Sequence, residues 1–300
     1  MPRPEPPLAF HTLHQSPLVT VRDYQCRHGR CGPGGEEASA KHSIVLLRRG
    51  AFTRHFGRRT VTTDANRVAL FAAGSSYCVS HPGDGGDRGT TLQTTPRLLR
   101  EIAGTLDATA ADRAEPVTAT EAPCTKAVFW RHRELVLRLE SGEAVEPLWA
   151  DVTVLQLLAD ALAGAFAVRG EAPRERPDTV ADHRDRVEAA RAWLAAHLTD
   201  KVTLDDVARA THSSPFHLAR LFQRHTGMPV HRYLLQLRLR AALERLVGGN
   251  EDLTAVALEF GFASHSHFTD RFREAFGCPP SAVRRSSRRR LGQMRSKLEA

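Results

Sequence analysis

The chain has 300 residues, 41% hydrophobic and 25% charged, an ordinary globular composition with length for about two domains. Read as sequence, it shows no apolar run of the ~20 residues that span a bilayer, and the proline-rich Met1–Leu8 lacks a signal peptide's apolar core. A membrane partner and export are therefore not expected. The net charge of +8 is uneven: 20 of the 42 Lys and Arg but only 12 of the 34 Asp and Glu fall from His183 to Ala300. That leaves 22 of each in residues 1–182, so all the surplus positive charge lies in the last part, as phosphate neutralisation requires. Five cysteines (Cys26, Cys31, Cys78, Cys124, Cys278) form no even, closely spaced framework, and a reduced cytoplasmic setting is expected.

Residues from Ser16 to Leu92 read as β structure. Apolar stretches at Ile44–Leu47, Val68–Phe71 and Tyr77–Val79 are punctuated by turn signals at Gly50, Gly57, Asp64–Asn66, Gly74 and Pro82–Gly86. This spacing predicts a small antiparallel barrel or sandwich. Cys26-x-His28-x-x-Cys31 is the chemically suggestive cluster of this region. Thiolate and imidazole suit zinc or another soft metal, and His42 or His81 can complete four ligands after folding. The spacing is not that of a zinc knuckle, and isolated thiols beside surface histidines are the commoner outcome, so both readings stand. Cys78 falls in an apolar strand pattern and is assigned to the core. The Gly83–Gly89 loop lacks the lysine and serine of a phosphate cradle, and no cofactor is called for.

From Thr95 to Val168 the period changes. Leu135, Val136 and Leu139, then Val152, Leu155, Leu158, Leu162 and Phe166, predict helices, with Asp107–Pro123 a loop before them. Arg131-His132-Arg133, followed at once by Glu134, reads as a solvated helix face. Gly170–Asp182, with two prolines and many charges, reads as a linker, and Arg186–Leu198 as an amphipathic helix opening a second domain.

The last hundred residues carry a degenerate repeat. Leu204, Val207 and Ala208 are echoed by Leu253, Val256 and Ala257 at an offset of 49. Leu218, Leu221, Phe222, Gly227 and Pro229 face Phe268, Arg271, Phe272, Gly277 and Pro279 at an offset of 50, which places one extra residue in the second copy's turn. Each copy outlines a helix-turn-helix, whose second helix enters a DNA major groove. The first such helix starts at Ser214-Pro215, an N-cap oxygen followed by a proline with no amide to leave unpaired. Phe216, Ala219, Arg220 and Gln223 share its outer stripe. Arg220 can donate twice to guanine, Gln223 can pair with adenine, and Phe216 can press on a thymine methyl; Arg224 is placed for phosphate. The second opens at Ser264, with Phe268 and Phe272 inward and His265, Ser266, His267, Thr269, Asp270 and Arg273 on or near the exposed side. Arg232–Leu246 forms the helix between the units, ended by Gly248-Gly249-Asn250.

Val187–Arg285 resembles the C-terminal domain of the AraC/XylS family of transcription regulators. The matching text is LARLFQRHTGMPVHRYL (218–234), RLRAAL (238–243) and VALEFGFASHSHFTDRFREAFGCPPSAVRR (256–285). The resemblance implies two helix-turn-helix subdomains joined by a long helix, both recognition helices entering successive major-groove segments. By position it places Phe216 and Arg220, then His265, Ser266 and Asp270, at base-contacting sites. Asp270 departs from the arginine common there. It can accept from cytosine N4 or clamp Arg271 or Arg273 as an ion pair, and the ion pair is the favoured reading.

The fold expected is α+β: a cupin-like β-barrel sensor over 1–94, similar in layout to the family's effector region; a helical segment over 95–169 suited to dimerisation; a linker over 170–182; a double helix-turn-helix domain over 183–285; and a basic tail over 286–300 containing Arg288–Arg290. The function expected is a sequence-specific, DNA-binding transcription regulator or activator that responds to a small-molecule or ion input. Its partners would be double-stranded DNA, RNA polymerase, an effector and a second copy of the chain. The alternative is a metal-dependent cupin-type enzyme, or a DNA-repair-type protein, fused to a helix-turn-helix module. The oxygenase would need two histidines and a carboxylate in a compact motif, and the repair protein a reactive-cysteine signature. Neither is visible, and no enzymatic activity is expected.

Overall fold

The computed structural model describes residues 8–107, 110, 113, 115–141, 145–168, 177–248 and 251–285. The chain divides into two compact units, Met1–Val180 and Ala181–Ala300. The basic tail, Gly249-Asn250 and residues 170–176 of the expected linker lie outside the described residues.

The first unit is built on two antiparallel sheets. Strands β1 (Leu8–Gln15), β2 (Val19–Cys26), β4 (Ser43–Arg49), β7 (Arg67–Phe71), β9 (Asp87–Thr94) and β10 (Glu121–Pro123) form a sheet ordered β1-β2-β9-β4-β7-β10. Strands β3 (Glu37–Ala38), β5 (Phe52–Phe56), β6 (Arg59–Thr63) and β8 (Ser76–Ser80) form a second, ordered β3-β8-β5-β6. Among the described residues the two do not join into the closed barrel expected from the sequence. The chain crosses from the larger to the smaller sheet at Gly50, where φ is +76° and a Cβ would sit 2.1 Å from the Gly86 carbonyl oxygen. Only glycine makes that bend at that closeness. Tyr24, Cys26, Val45, Leu47, Phe52 and Ala69 pack together between the sheets, with Phe71 and Val79 against them.

The other face of the larger sheet is covered by helices, which is why β4 and β7 are continuous apolar runs rather than alternating ones. These helices are α1 (Pro96–Leu106), α2 (Lys126–Glu140) and α3 (Pro147–Val168). The expected loop before α2 ends as an edge strand, because buried Ala122 in β10 pairs with Val68 of β7. A second difference concerns α3. Its 20 residues Leu148–Ala167 have a mean hydropathy of 1.4, long and apolar enough to span a bilayer, contrary to the sequence expectation. Here it packs as a core helix: Val154, Leu157, Leu158, Ala161 and Leu162 are buried, Asp151 meets His14 Nε2 at 2.7 Å, and Asp160 pairs with Arg131. Two aspartates in one apolar run disguised it.

Nor is Arg131-His132-Arg133 a solvated face, since His132 and Arg133 are both buried. Nearby, Arg48 of β4 pairs with Asp23 of β2 and, at 3.3 Å, with Glu140 at the end of α2; Arg88 of β9 meets the same two carboxylates at 2.7 and 3.2 Å. Four charges thus tie three strands to one helix, each satisfying the other's desolvation.

The second unit is helical: α4 (Pro177–Ala196), α5 (Leu204–Ala210), α6 (Pro215–Thr226), α7 (Val230–Gly248), α8 (Leu253–Glu259), α9 (His265–Phe276) and α10 (Pro280–Arg285). Residues 177–182 of the expected linker are helical, and the helix expected over Arg186–Leu198 starts nine residues earlier. Prolines read as breakers in the linker, but in a first turn the missing amide of Pro177 costs nothing. Buried Arg191 of α4 donates to Glu188 Oε1 at 2.7 Å and to the Tyr233 hydroxyl of α7 at 3.0 Å. This fixes α4 on the long central helix.

Candidate functional site

The repeat becomes two helix-turn-helix units, α5–α6 and α8–α9, before and after α7 in the chain. Each first helix is capped by a side chain. Thr203 and Asp206 form a reciprocal capping box on α5, and Asp252 accepts from Thr254 and Ala255 on α8. Each turn is closed by the same bond, Ser213 N–H donating to Ala208 O and Phe262 N–H to Ala257 O, both at 2.9 Å. Inside each turn one residue takes a left-handed conformation, His212 at φ 49° and Gly261 at φ 72°. Gly261 also lies against the Arg238 guanidinium, 2.9 Å from where a Cβ would stand, and that guanidinium donates to the Leu198 and Asp200 carbonyls.

These pairs keep the offset of 49 through Phe262, whereas the caps Ser214 and Ser264 stand at 50. The extra residue is therefore Ala263, in the turn. From the caps onward the recognition helices match. Ser214 accepts from His217 N–H and Ser264 from His267 N–H, and Gly227 and Gly277 end the helices at φ 77° and 73°.

Burial separates the two faces of each helix. In α6, Leu218, Leu221 and Phe222 are buried, Arg220, Gln223 and Arg224 are exposed, and Ala219 is half-buried between them. The Phe216 side chain lies outside the described residues. In α9, Phe268, Phe272 and Phe276 are buried, while His265, Ser266, His267, Asp270 and Arg273 are exposed and Thr269 is half-buried. His267 leans on Phe262 with ring centroids 5.8 Å apart, so it also braces the turn. The favoured reading of Asp270 is corrected. Arg271 pairs with Glu274 at 2.8 Å, and among the described residues no ion pair engages Asp270. One turn along the helix, Glu274 outcompetes its neighbour for that guanidinium. Asp270 is left as an exposed acceptor.

The first unit contains a cavity of about 610 Å³ between its sheets. Phe10, Tyr24, Val45, Phe52, Phe71 and Tyr77 line its apolar part. Cys26, His28, Cys31, His81 and Asp87 lie on the same wall. The sequence-predicted cluster is thereby rearranged. Cys26 Sγ lies 3.3 Å from both His28 Nδ1 and His81 Nε2, whereas Cys31 Sγ lies 3.4 Å from His81 Nδ1, on the opposite edge of that ring. Asp87 Oδ2 is 2.9 Å from His81 Nε2. Hydrogen bonds to Asp87, then Cys26 and Cys31, push the His81 imidazole up to about 11 against the effect of burial, and His81 in turn lowers the Cys31 thiol. Buried Tyr24, beside Asp87, is raised well above the usual phenol range by burial first and that carboxylate second. His42 is not part of the cluster; its Nδ1 accepts from Ala73 N–H at 3.2 Å.

Asp87 escaped the sequence reading, and His81 entered it only as a spare. Their proximity comes from strand pairing, which places Cys26 opposite Asp87 and bridges Cys31 to His81, and no local spacing encodes that. The two histidines and a carboxylate absent as a compact motif are thus assembled from separate segments, with a thiol among them. Cys78 sits half-buried in β8, and Cys278, whose thiol burial pushes up to about 11, follows the Gly277 cap of α9.

Two capped recognition helices with exposed polar faces, each braced on a shared central helix, define a double helix-turn-helix DNA-binding protein. A helix-turn-helix domain family matches residues 207–286. The chain is 33% identical over 94 residues to the HTH-type transcriptional activator AarP of Providencia stuartii, covering 31% of this chain and 70% of AarP. It is 31% identical over 156 residues to the HTH-type transcriptional activator RhaS of Escherichia fergusonii, covering 51% of this chain and 52% of RhaS. An AraC-type regulator structure from Chromobacterium violaceum matches with 28% identity and a TM-score of 0.33, over 34% of this chain and 90% of that one. The chain belongs to the AraC/XylS family and is a DNA-binding transcription regulator. It spans about half the length of RhaS, and the match to AarP rests on a third of this chain.

Proposed function

We propose that the chain is a cytoplasmic, sequence-specific transcription activator whose two recognition helices read successive major-groove segments. Arg220 and Gln223 contact base edges from α6, with Phe216 and Ala219 offering apolar contact. His265, Ser266, Thr269 and Asp270 do so from α9, Asp270 as an acceptor for cytosine N4. Arg224 and Arg273 hold phosphates and set register, and His267 supports the turn. The observation that carries this reading is the exposure of Arg220, Gln223 and Asp270 on helices whose opposite faces are buried phenylalanines and leucines. The cavity between the sheets suits a small, largely apolar effector in a cupin-like unit, and a pocket of several hundred Å³ is of ligand size. Contact with RNA polymerase and pairing of two copies through the helical segment complete the proposal.

Selection of bound sequences from a random DNA pool by the full chain tests it. A defined motif is expected. Arg220→Ala should cost about 1–3 kcal/mol on that motif and relax preference at one base pair, whereas Arg224→Ala should weaken all sequences alike and reduce the salt slope by about one. Uniform losses in both variants would remove Arg220 from the groove.

A further inference from the structure

We propose that Cys26 Sγ, His28 Nδ1 and His81 Nε2 form a binding site for one soft divalent cation, zinc in the first instance, on the wall of the cavity in the first unit. These three atoms lie within 4.8 Å of one another, and two of the three separations involve Cys26 at 3.3 Å. Zn–S bonds of about 2.3 Å and Zn–N bonds of about 2.0–2.1 Å place tetrahedral ligand atoms about 3.4–3.6 Å apart. The site therefore needs displacements of only about an ångström to close on the ion.

Backbone structure holds the donors in place beforehand. Register pairs Cys26 with Asp87, and a two-way backbone bridge joins Cys31 to His81 at 3.1 and 3.2 Å. Gly86, at φ 63°, brings the loop so close to the Cys26 carbonyl that a Cβ would lie 2.2 Å from its oxygen. A second observation points to a cation. The Asp87 side chain is 2% exposed, and its Oδ2 lies 2.9 Å from His81 Nε2, so a buried carboxylate stands beside the three donors. A thiolate from Cys26 and this carboxylate together balance a divalent charge, which makes its burial affordable.

The geometry also sorts the two cysteines. Cys31 faces His81 Nδ1, so it orients the ring as an outer partner while Nε2 faces the ion. Binding displaces a proton from Cys26 and from His81 Nε2 and changes no oxidation state. Three protein donors leave a fourth position, as in open zinc sites. It faces the cavity, where a ligand carrying a thiol, imidazole or carboxylate could occupy it. The site stands independently of the DNA-reading proposal, because its test contains no DNA.

The test is titration of the reduced, chelator-treated full chain with Co²⁺. One equivalent should bind with a near-ultraviolet thiolate-to-cobalt absorption, and Zn²⁺ should abolish that absorption at one equivalent. Cys26→Ser should remove the absorption. Cys31→Ser should keep it and weaken binding about 10–100-fold, as loss of an outer partner does. His28→Ala changes an exposed residue and so leaves folding intact; it should lower cobalt affinity at least tenfold even if Cys26→Ser does not fold. Absence of the absorption in the unaltered chain, its loss in Cys31→Ser alone, or unchanged affinity in His28→Ala would overturn the site.

Discussion

His132 shows how one buried side chain sets a property of the first unit. It lies on α2 with its Nε2 buried and without a hydrogen-bond partner. Burial, then the charges of Arg48 and Arg133, hold its imidazole well below the usual histidine range. Sign follows from linkage. Below the ordinary histidine pKa the unfolded chain binds a proton that the folded unit refuses, so this residue's contribution is whole above about pH 6.5 and is lost as pH falls. Urea unfolding from pH 6.5 to 4.5 should show stability falling by up to about 1.4 kcal/mol per pH unit from this group. In His132→Gln the slope should flatten by that amount, and an unchanged slope would contradict the assignment. Nothing in the sequence marked this residue as buried: its neighbours are arginines, and the Asp160 carboxylate that pairs with Arg131 comes from α3, 29 residues on.

At the scale of elements, the recognition helices rest on local chemistry that the sequence states openly. A serine cap, apolar residues three and four apart and a glycine end are all read within a dozen residues, which is why α6 and α9 were legible with their faces. Ser264→Ala, which removes the side-chain acceptor for His267 N–H, should destabilise the second unit by about 0.5–2 kcal/mol. Thermal unfolding of fragment 181–300 measures it, and Ser214→Ala should do the same through His217. A loss in one only would show the two units to be unequally braced. The ion pair expected for Asp270 with Arg271 or Arg273 was misassigned because helical spacing offers more than one partner: Arg271 meets Glu274, three residues on, instead. Likewise Pro177, one of the two prolines of the expected linker, opens a helix, because its position and not its identity decides its effect. The β-rich region was legible as a class, but pairing of β2 with β9, and hence the convergence of Cys26, His81 and Asp87, is a long-range fact that alternation cannot carry.

At the scale of the whole molecule, charge and fold agree. The surplus of basic residues falls in the helical unit, while the first unit is charge-balanced and hollow. Two recognition helices joined by α7 in a single chain allow one copy to grip two groove segments, about 10 base pairs apart if both lie on one side of the duplex. Hydroxyl-radical footprinting of the full chain on its selected site shows whether both segments are gripped at once. Two protected stretches are expected on one face of the DNA, separated by about one helical turn. Arg220→Ala should weaken the stretch read by α6, and Asp270→Ala the one read by α9. A single protected stretch that vanishes with Arg220→Ala and ignores Asp270→Ala would contradict this two-segment grip.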